Sequence, residues 1–413
     1  MRIQGLQGTL AVSLAICLAM SVALAEEPSP TEKSVVAGNT LFALDLYSVL
    51  KSYEGNLFFS PYSISTGLAM TFAGARGTTE TQMANALRFP LGPEGIHSAF
   101  ADLQTRLRNV EDAGNVELRI ANSLWPMIDS ELLAEFLSLI KKDYGASITP
   151  LDYKRSPEAA RVMINKWVED KTEGNIKDLI GPKVLDAFTR LVLANGIYFK
   201  GNWENKFEVK QTRDAPFFVS PDKSVQTPMM TQTREFKYGE LDAAQLIELP
   251  YAGNELSMLV LLPKEKDALP QIEDSLSDDN LKQWKDRLVK REVRLCLPRF
   301  KMSCGTFELN GALKSLGIRD AFDMKKANFA GMDGRPDSLY IASVLHKAFV
   351  DVNEEGTEAA AATGVAMKLK ASPTPLPIFR ADHPFVFLIQ ETATGSILFI
   401  GRVTDPTKNA EAG

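Results

Sequence analysis

The stretch EEGTEAAAATGVAMKLKASPTPLPIF, Glu354 to Phe379, holds four consecutive alanines, two lysines and three prolines, and its local signals conflict. Alanine loses no side-chain entropy in a helix, so Ala359, Ala360, Ala361 and Ala362 argue for one. Gly356 and Gly364 bracket that run, and Pro373, Pro375 and Pro377 forbid regular structure beyond it. A helix confined between those glycines is barely two turns long. The segment is an exposed linker, a helix completed by packing, or a strand without a partner, and the remainder of the chain has to decide.

The 413 residues carry a formal net charge of -6, with 45% hydrophobic and 24% charged residues, an ordinary globular composition. A negative balance argues against a nucleic-acid partner, which needs concentrated positive charge. The densest basic cluster, KQWKDRLVKREVR from Lys282 to Arg294, is interrupted by Asp286 and Glu292 and reads as a solvated helix face. At the N-terminus, Arg2, an apolar run and Ala23-Leu24-Ala25 predict a secretory leader over residues 1–25, followed by a polar linker over 26–35. The expected location is secreted or extracellular, or periplasmic, with no membrane association once the leader is cut. Cys296 and Cys304 remain after cleavage. Eight residues of extended chain span about 26 Å, whereas a disulfide needs its alpha carbons within about 7 Å, so both are expected to be free thiols unless the chain doubles back. No asparagine lies in N-x-S/T, which suits a bacterial envelope or secreted protein better than one of eukaryotic plasma.

Along the chain, Phe42, Leu46, Val49 and Leu50 define an amphipathic first helix, and GNLFFSPYSIS reads as a short strand turning into a helix at Ser60-Pro61. GIHSAFADLQTRLRNV predicts another helix. Strand-like runs come later: RLVLANGIYFKG, QLIELPY, LSMLVLLP, VRLCLPRFKM, LYIASVLHKAFVDV, HPFVFLIQE and GSILFIGRV. Helices first and strands afterwards make an α+β chain. Its only histidines are His97, His346 and His383. His97 opens a helix and reads as a surface residue, while His346 shares an apolar strand face with Val344, Ala348, Val350 and Val352 and reads as a hydrogen-bonded core residue. No G-x-S-x-G elbow, H-E-x-x-H helix or phosphate-binding loop is present, so the chain is not expected to be an enzyme, nor to need a cofactor or metal.

Four stretches, NLFFSPYSISTGLAMTFAGARGTTETQM, LANGIYFKGNWENKF, LYIASVLHKAFVDVNEEGTEAAAATG and HPFVFLIQETATGSILFIGRVTDP, resemble the serpins, in the family's order. The resemblance implies a single α+β domain over 36–406, with three β-sheets, A, B and C, eight or nine helices, and a flexible tail over 407–413. It makes 354–379 an exposed reactive loop and points to an inhibitor, expected to be monomeric, whose partner is a target protease held covalently; with the leader and the lack of N-x-S/T, a secreted, bacterial-type member is expected. Non-inhibitory members, chaperones or carriers, are the alternative.

Taken with period two, Thr357, Ala359, Ala361, Thr363, Val365 and Met367 form one face of the loop. Glu358, Ala360, Ala362, Gly364, Ala366 and Lys368 form the other, which holds both charges. Small uncharged side chains on one face are what a strand needs to enter a packed sheet. The resemblance further implies a hinge at Glu354, Gly356, Thr357, Glu358 and Ala359 to Ala362. It implies a shutter of Ser60, Ser63, Asn195 and His346 beneath sheet A, and a breach at Trp203 with Glu354. Counted from Glu354, the reactive bond falls between Lys370 and Ala371. Lysine there suits the acidic pocket of a trypsin-like protease, and Leu369 before it suits papain-like cysteine proteases.

Overall fold

The computed structural model describes residues 27–90, 92–146, 148–303, 305–355 and 375–410. Its first helix, Pro30–Leu50, starts inside the stretch expected to be a linker. Ser29 Oγ accepts from the Glu32 N–H at 3.1 Å, and the Glu32 carboxylate accepts from the Ser29 N–H at 3.3 Å. Ser29-Pro30-Thr31-Glu32 is thus a capping box with proline at the first helical position. Glu32 is buried against Arg106 at 2.7 Å, which makes residues 30–35 part of the folded body. The tail is also tied down at its start, because Asn56 Nδ2 donates to the Lys408 carbonyl at 2.8 Å and Ala410 is buried.

A five-stranded sheet holds Val116–Pro126, Leu191–Gly201 and Ile341–Val352 in that order, with Phe300–Ser303 and Phe307–Glu308 on the far side of Ile341–Val352. Leu191–Gly201 and Ile341–Val352 run parallel, whereas every other described pairing in this sheet is antiparallel. The strand Val116–Pro126 escapes a sequence reading, since Glu117, Leu118, Arg119 and Ala121 favour helix and the edge position supplies the strand.

The other strands form one nine-stranded network. The sheets that the resemblance separates as B and C are joined in it by the 18-residue strand Lys223–Glu240, which pairs with Arg213–Ser220 and Val289–Pro298 and, at its end, with Ala244–Pro250. The basic cluster is divided likewise: the helix Asp278–Asp286 stops and the strand Val289–Pro298 begins, so only its first part is helical. Ten α-helical segments occur among the described residues, the shortest of four residues at Ala330–Asp333.

The helix Pro61–Phe72 is buried at all twelve positions, as a helix running between two layers must be, and it packs on Val116–Pro126, Leu191–Gly201 and the strand Ile397–Val403. On the other face of the five-stranded sheet, Ile164 and Val168 of the helix Pro157–Lys171 pack with Trp125, Ala194 and Leu345. A Cβ at Gly196 would stand 3.0 Å from Val168 Cγ1, so this glycine permits the helix to lie close over the strand. The parallel seam is therefore enclosed between two apolar layers.

Candidate functional site

Three adjacent strands each place one polar residue at the same level, Asn122, Asn195 and His346, in direct register. Ser60 and Ser63, at the start of the helix Pro61–Phe72, close over this row. Ser60 Oγ caps the helix by accepting from the Ser63 N–H at 3.1 Å and donates to the Leu398 carbonyl at 2.6 Å. The Ser60 N–H points to His346 Nε2 at 3.0 Å. A backbone N–H only donates, so Nε2 is the acceptor and the imidazole proton sits on Nδ1, facing Asn195 Oδ1. Asn195 Nδ2 donates to the Ser63 carbonyl at 2.8 Å, and also meets Ser63 Oγ and Asn122 Oδ1.

The His346–Asn195 bond crosses the parallel seam. Strands lie about 4.8 Å apart, so a new strand between these two would double their separation and break that bond. The four residues assigned to the shutter are brought together. Asn122 was missed, although an asparagine between Ala121 and Ser123 in an otherwise amphipathic run was a signal.

Burial lowers the His346 pKa to about 3 and that of His97 to about 4, the latter partly offset by Asp143. An exposed histidine titrates near 6.5. Between those values the unfolded chain binds protons that the native state refuses, so stability falls as pH drops and is complete above about pH 6.5. At about 1.4 kcal/mol per pH unit for each group, the two histidines are expected to remove about 5 kcal/mol at pH 4.5. Thermal unfolding between pH 7.5 and 4.5 checks this, and a midpoint that stays flat below pH 6.5 contradicts it. His97 is not a surface residue. It occupies the buried face of the helix Pro93–Asp112 and shares a hydrogen with the Tyr144 hydroxyl at 2.6 Å.

At the upper end of the seam, the Trp203 indole donates to the Asn353 carbonyl at 2.9 Å and stacks on Tyr251 with centroids 4.6 Å apart. The N–H groups of Trp203 and Phe207 donate to the carbonyls of Glu355 and Glu354 at 3.1 and 2.8 Å. Glu354, expected to begin an exposed loop, is only 2% exposed. Its carboxylate takes hydrogen bonds from Arg299 Nε and Thr212 Oγ1, each at 2.5 Å. Burial works against this carboxylate, but the bonds from Arg299 and Thr212 and the guanidinium charge outweigh it and hold its pKa below the usual value. Arg299 and Thr212 lie far from Glu354 in sequence and carry no motif. Phe379, at the other end of the expected loop, is buried next to the strand Val289–Pro298. Gly356, Thr357, Glu358, Ala359 to Ala362, Leu369, Lys370 and Ala371 lie outside the described residues, as does Cys304. Cys296 is a buried free thiol.

The arrangement is a sheet with one parallel seam, a polar latch at its middle and an anchored chain at its top. A family model described as Serpin (serine protease inhibitor) matches residues 37–406. The chain belongs to the serpins. Leukocyte elastase inhibitor A of Rattus norvegicus is 42% identical over 381 residues, covering 90% of this chain and 99% of the relative. Uncleaved ovalbumin superposes with a TM-score of 0.82 at 32% identity, over 90% of this chain and 100% of that one. Human thyroxine-binding globulin in its ligand complex gives a TM-score of 0.82 and 32% identity, over 92% of this chain and 100% of that one.

This serpin has the α+β serpin fold and is not an enzyme. The expectation of a secreted or periplasmic, bacterial-type protein is overturned. The similarity runs to mammalian leukocyte elastase inhibitors along almost their whole length, and the leader assigned to 1–25 lies outside both the family match and the described residues.

Proposed function

We propose that this serpin, as one domain over 36–406, is a suicide-type inhibitor of trypsin-like serine proteases. The protease hydroxyl attacks the Lys370 carbonyl and forms an ester, while the amine of Ala371 leaves with the C-terminal segment. The freed strand then enters the seam between Leu191–Gly201 and Ile341–Val352 and carries the acyl-enzyme with it. The parallel seam is the observation that carries this reading. A chain that turns back just after Val352 runs antiparallel to both flanking strands, and so replaces the one parallel pairing by two antiparallel ones, the more stable kind per residue. The lengths agree: residues 357–370 span about 46 Å when extended, and Ile341–Val352 about 40 Å.

Small residues at the hinge favour inhibition over the carrier role that the likeness to thyroxine-binding globulin brings to mind. The leukocyte elastase inhibitors favour a second reading, in which a small or apolar pocket reads Leu369 instead of Lys370.

Mixing the purified chain with trypsin, elastase and papain separates these readings. Trypsin is expected to give a complex that survives boiling in detergent, with a released peptide beginning at Ala371. A peptide beginning at Lys370 moves the bond to Leu369, and no covalent complex with any of the three contradicts the inhibitory reading. Lys370→Glu is expected to abolish trypsin inhibition at unchanged thermal stability.

A further inference from the structure

The His346–Asn195 bond closes the seam from its inner side. Three residues further along, the same two strands meet again on the outer side, where Phe349 of Ile341–Val352 stands in register with Tyr198 of Leu191–Gly201. The neighbouring Phe199 packs inward on Tyr251 and Phe399, so Tyr198 and Phe349 point the opposite way. Their rings are stacked, with centroids 5.2 Å apart and planes inclined at 30°. Although it lies on the outward face, Tyr198 is only 7% exposed, whereas Phe349 is half-buried.

Lys301 Nζ lies 5.0 Å from the centre of the Phe349 ring and 3.8 Å from the Asp351 carboxylate. It belongs to Phe300–Ser303, which pairs with the far side of Ile341–Val352, so it travels with Phe349 when the seam parts. The stack with Tyr198 does not. Strands that admit another between them move from about 4.8 to about 9.6 Å apart, beyond the range of about 4.5–7 Å over which aromatic rings attract. Opening precedes the new hydrogen bonds, so the loss of the stack falls on the rate of entry.

We propose that the Tyr198–Phe349 pair is an aromatic clasp that sets how fast the seam accepts a strand, an inference that rests on the strand-entry reading above. The two rings touch neither protease nor reactive bond and act only through the separation of the strands. A tight clasp guards the intact protein against filling its own seam, and a loose one speeds entry. A stacked pair of this kind is worth about threefold to tenfold in a rate.

The probe is a synthetic peptide of residues 357–370, added in excess to the intact full chain, with uptake followed by native mass spectrometry. Phe349→Leu and Tyr198→Leu keep an apolar side chain but remove a ring, and each is expected to take up the peptide about threefold to tenfold faster than the parent. The double variant should be no faster than the quicker single one, because both changes break the same contact. Phe349→Tyr keeps a ring and the parent rate, and so does Lys301→Met, whose contact does not cross the seam. Once filled, the parent and Phe349→Leu should melt alike, which a merely structural role for the ring would not allow. If Tyr198→Leu fails to fold, the leucine and tyrosine variants of the half-buried Phe349 decide. Uptake by the parent at a rate unchanged in the leucine variants overturns the clasp and leaves the inhibitory reading standing. Faster uptake in those variants, with no covalent complex with trypsin, elastase or papain, supports the clasp and sinks the trapping reading instead. Refusal of the peptide by parent and variants alike overturns both.

Discussion

A Thr357→Arg variant is expected to be cut at Lys370 and to release active protease instead of holding it. Thr357 is the first inward position of the strand proposed to enter the seam, and the inner face at that end of the sheet is core, where Phe199 packs on Tyr251 and Phe399. Insertion would bury a guanidinium without a partner, which costs about 3–5 kcal/mol. That penalty falls on the step that must outrun hydrolysis of the ester. At about 1.4 kcal/mol per tenfold in rate, a 3 kcal/mol penalty slows insertion roughly a hundredfold. Encounter and acylation stay as they were, because Lys370 is thirteen residues further along. The detergent-stable complex should vanish while cleaved inhibitor accumulates at the parent rate. Glu358→Arg alters the outward face and should keep most inhibition. If the outward change is the more damaging one, the period-two assignment of the hinge is wrong.

His346→Ala is expected to cost the uncleaved protein about 2–5 kcal/mol, since it leaves the Ser60 N–H and Asn195 Oδ1 unpaired in a buried site and opens a ring-sized void. The same change should be felt less in the cleaved protein, where an inserted strand has already parted His346 from Asn195. Parallel denaturation of both forms reads the difference. Equal losses in the two forms would mean that the bond does not guard the seam.

The fold was legible where single stretches carry their own instruction. The apolar runs of the later strands and the Ser60-Pro61 junction fall where the sequence puts them, and His346 is buried and hydrogen-bonded, as its apolar neighbours imply. The capping box at Ser29 was equally present in the sequence, but proline and charged residues disguised it as a linker. Other features depend on pairing across long distances. Arg299 reaches Glu354 only because Phe300–Ser303 pairs with the end of Ile341–Val352. Asn122 matters only because register aligns it with Asn195 and His346. Nor does the composition of Lys223–Glu240 announce that one strand will join two sheets. Conversely, the alanine run looks like helix to any local measure, whereas the proposed role uses its small size.

The central claim is that the uncleaved chain holds back a strand that its own sheet would accept with a gain in stability. The melting temperature before and after clean cleavage at the Lys370–Ala371 bond tests it most directly. Cutting a chain ordinarily adds freedom to the unfolded state and lowers stability. Here the freed strand exchanges one parallel pairing for two antiparallel ones, so the account predicts that the cleaved protein, with both pieces still associated, melts at a clearly higher temperature than the intact one. A cleaved protein that melts at the same temperature or lower contradicts it.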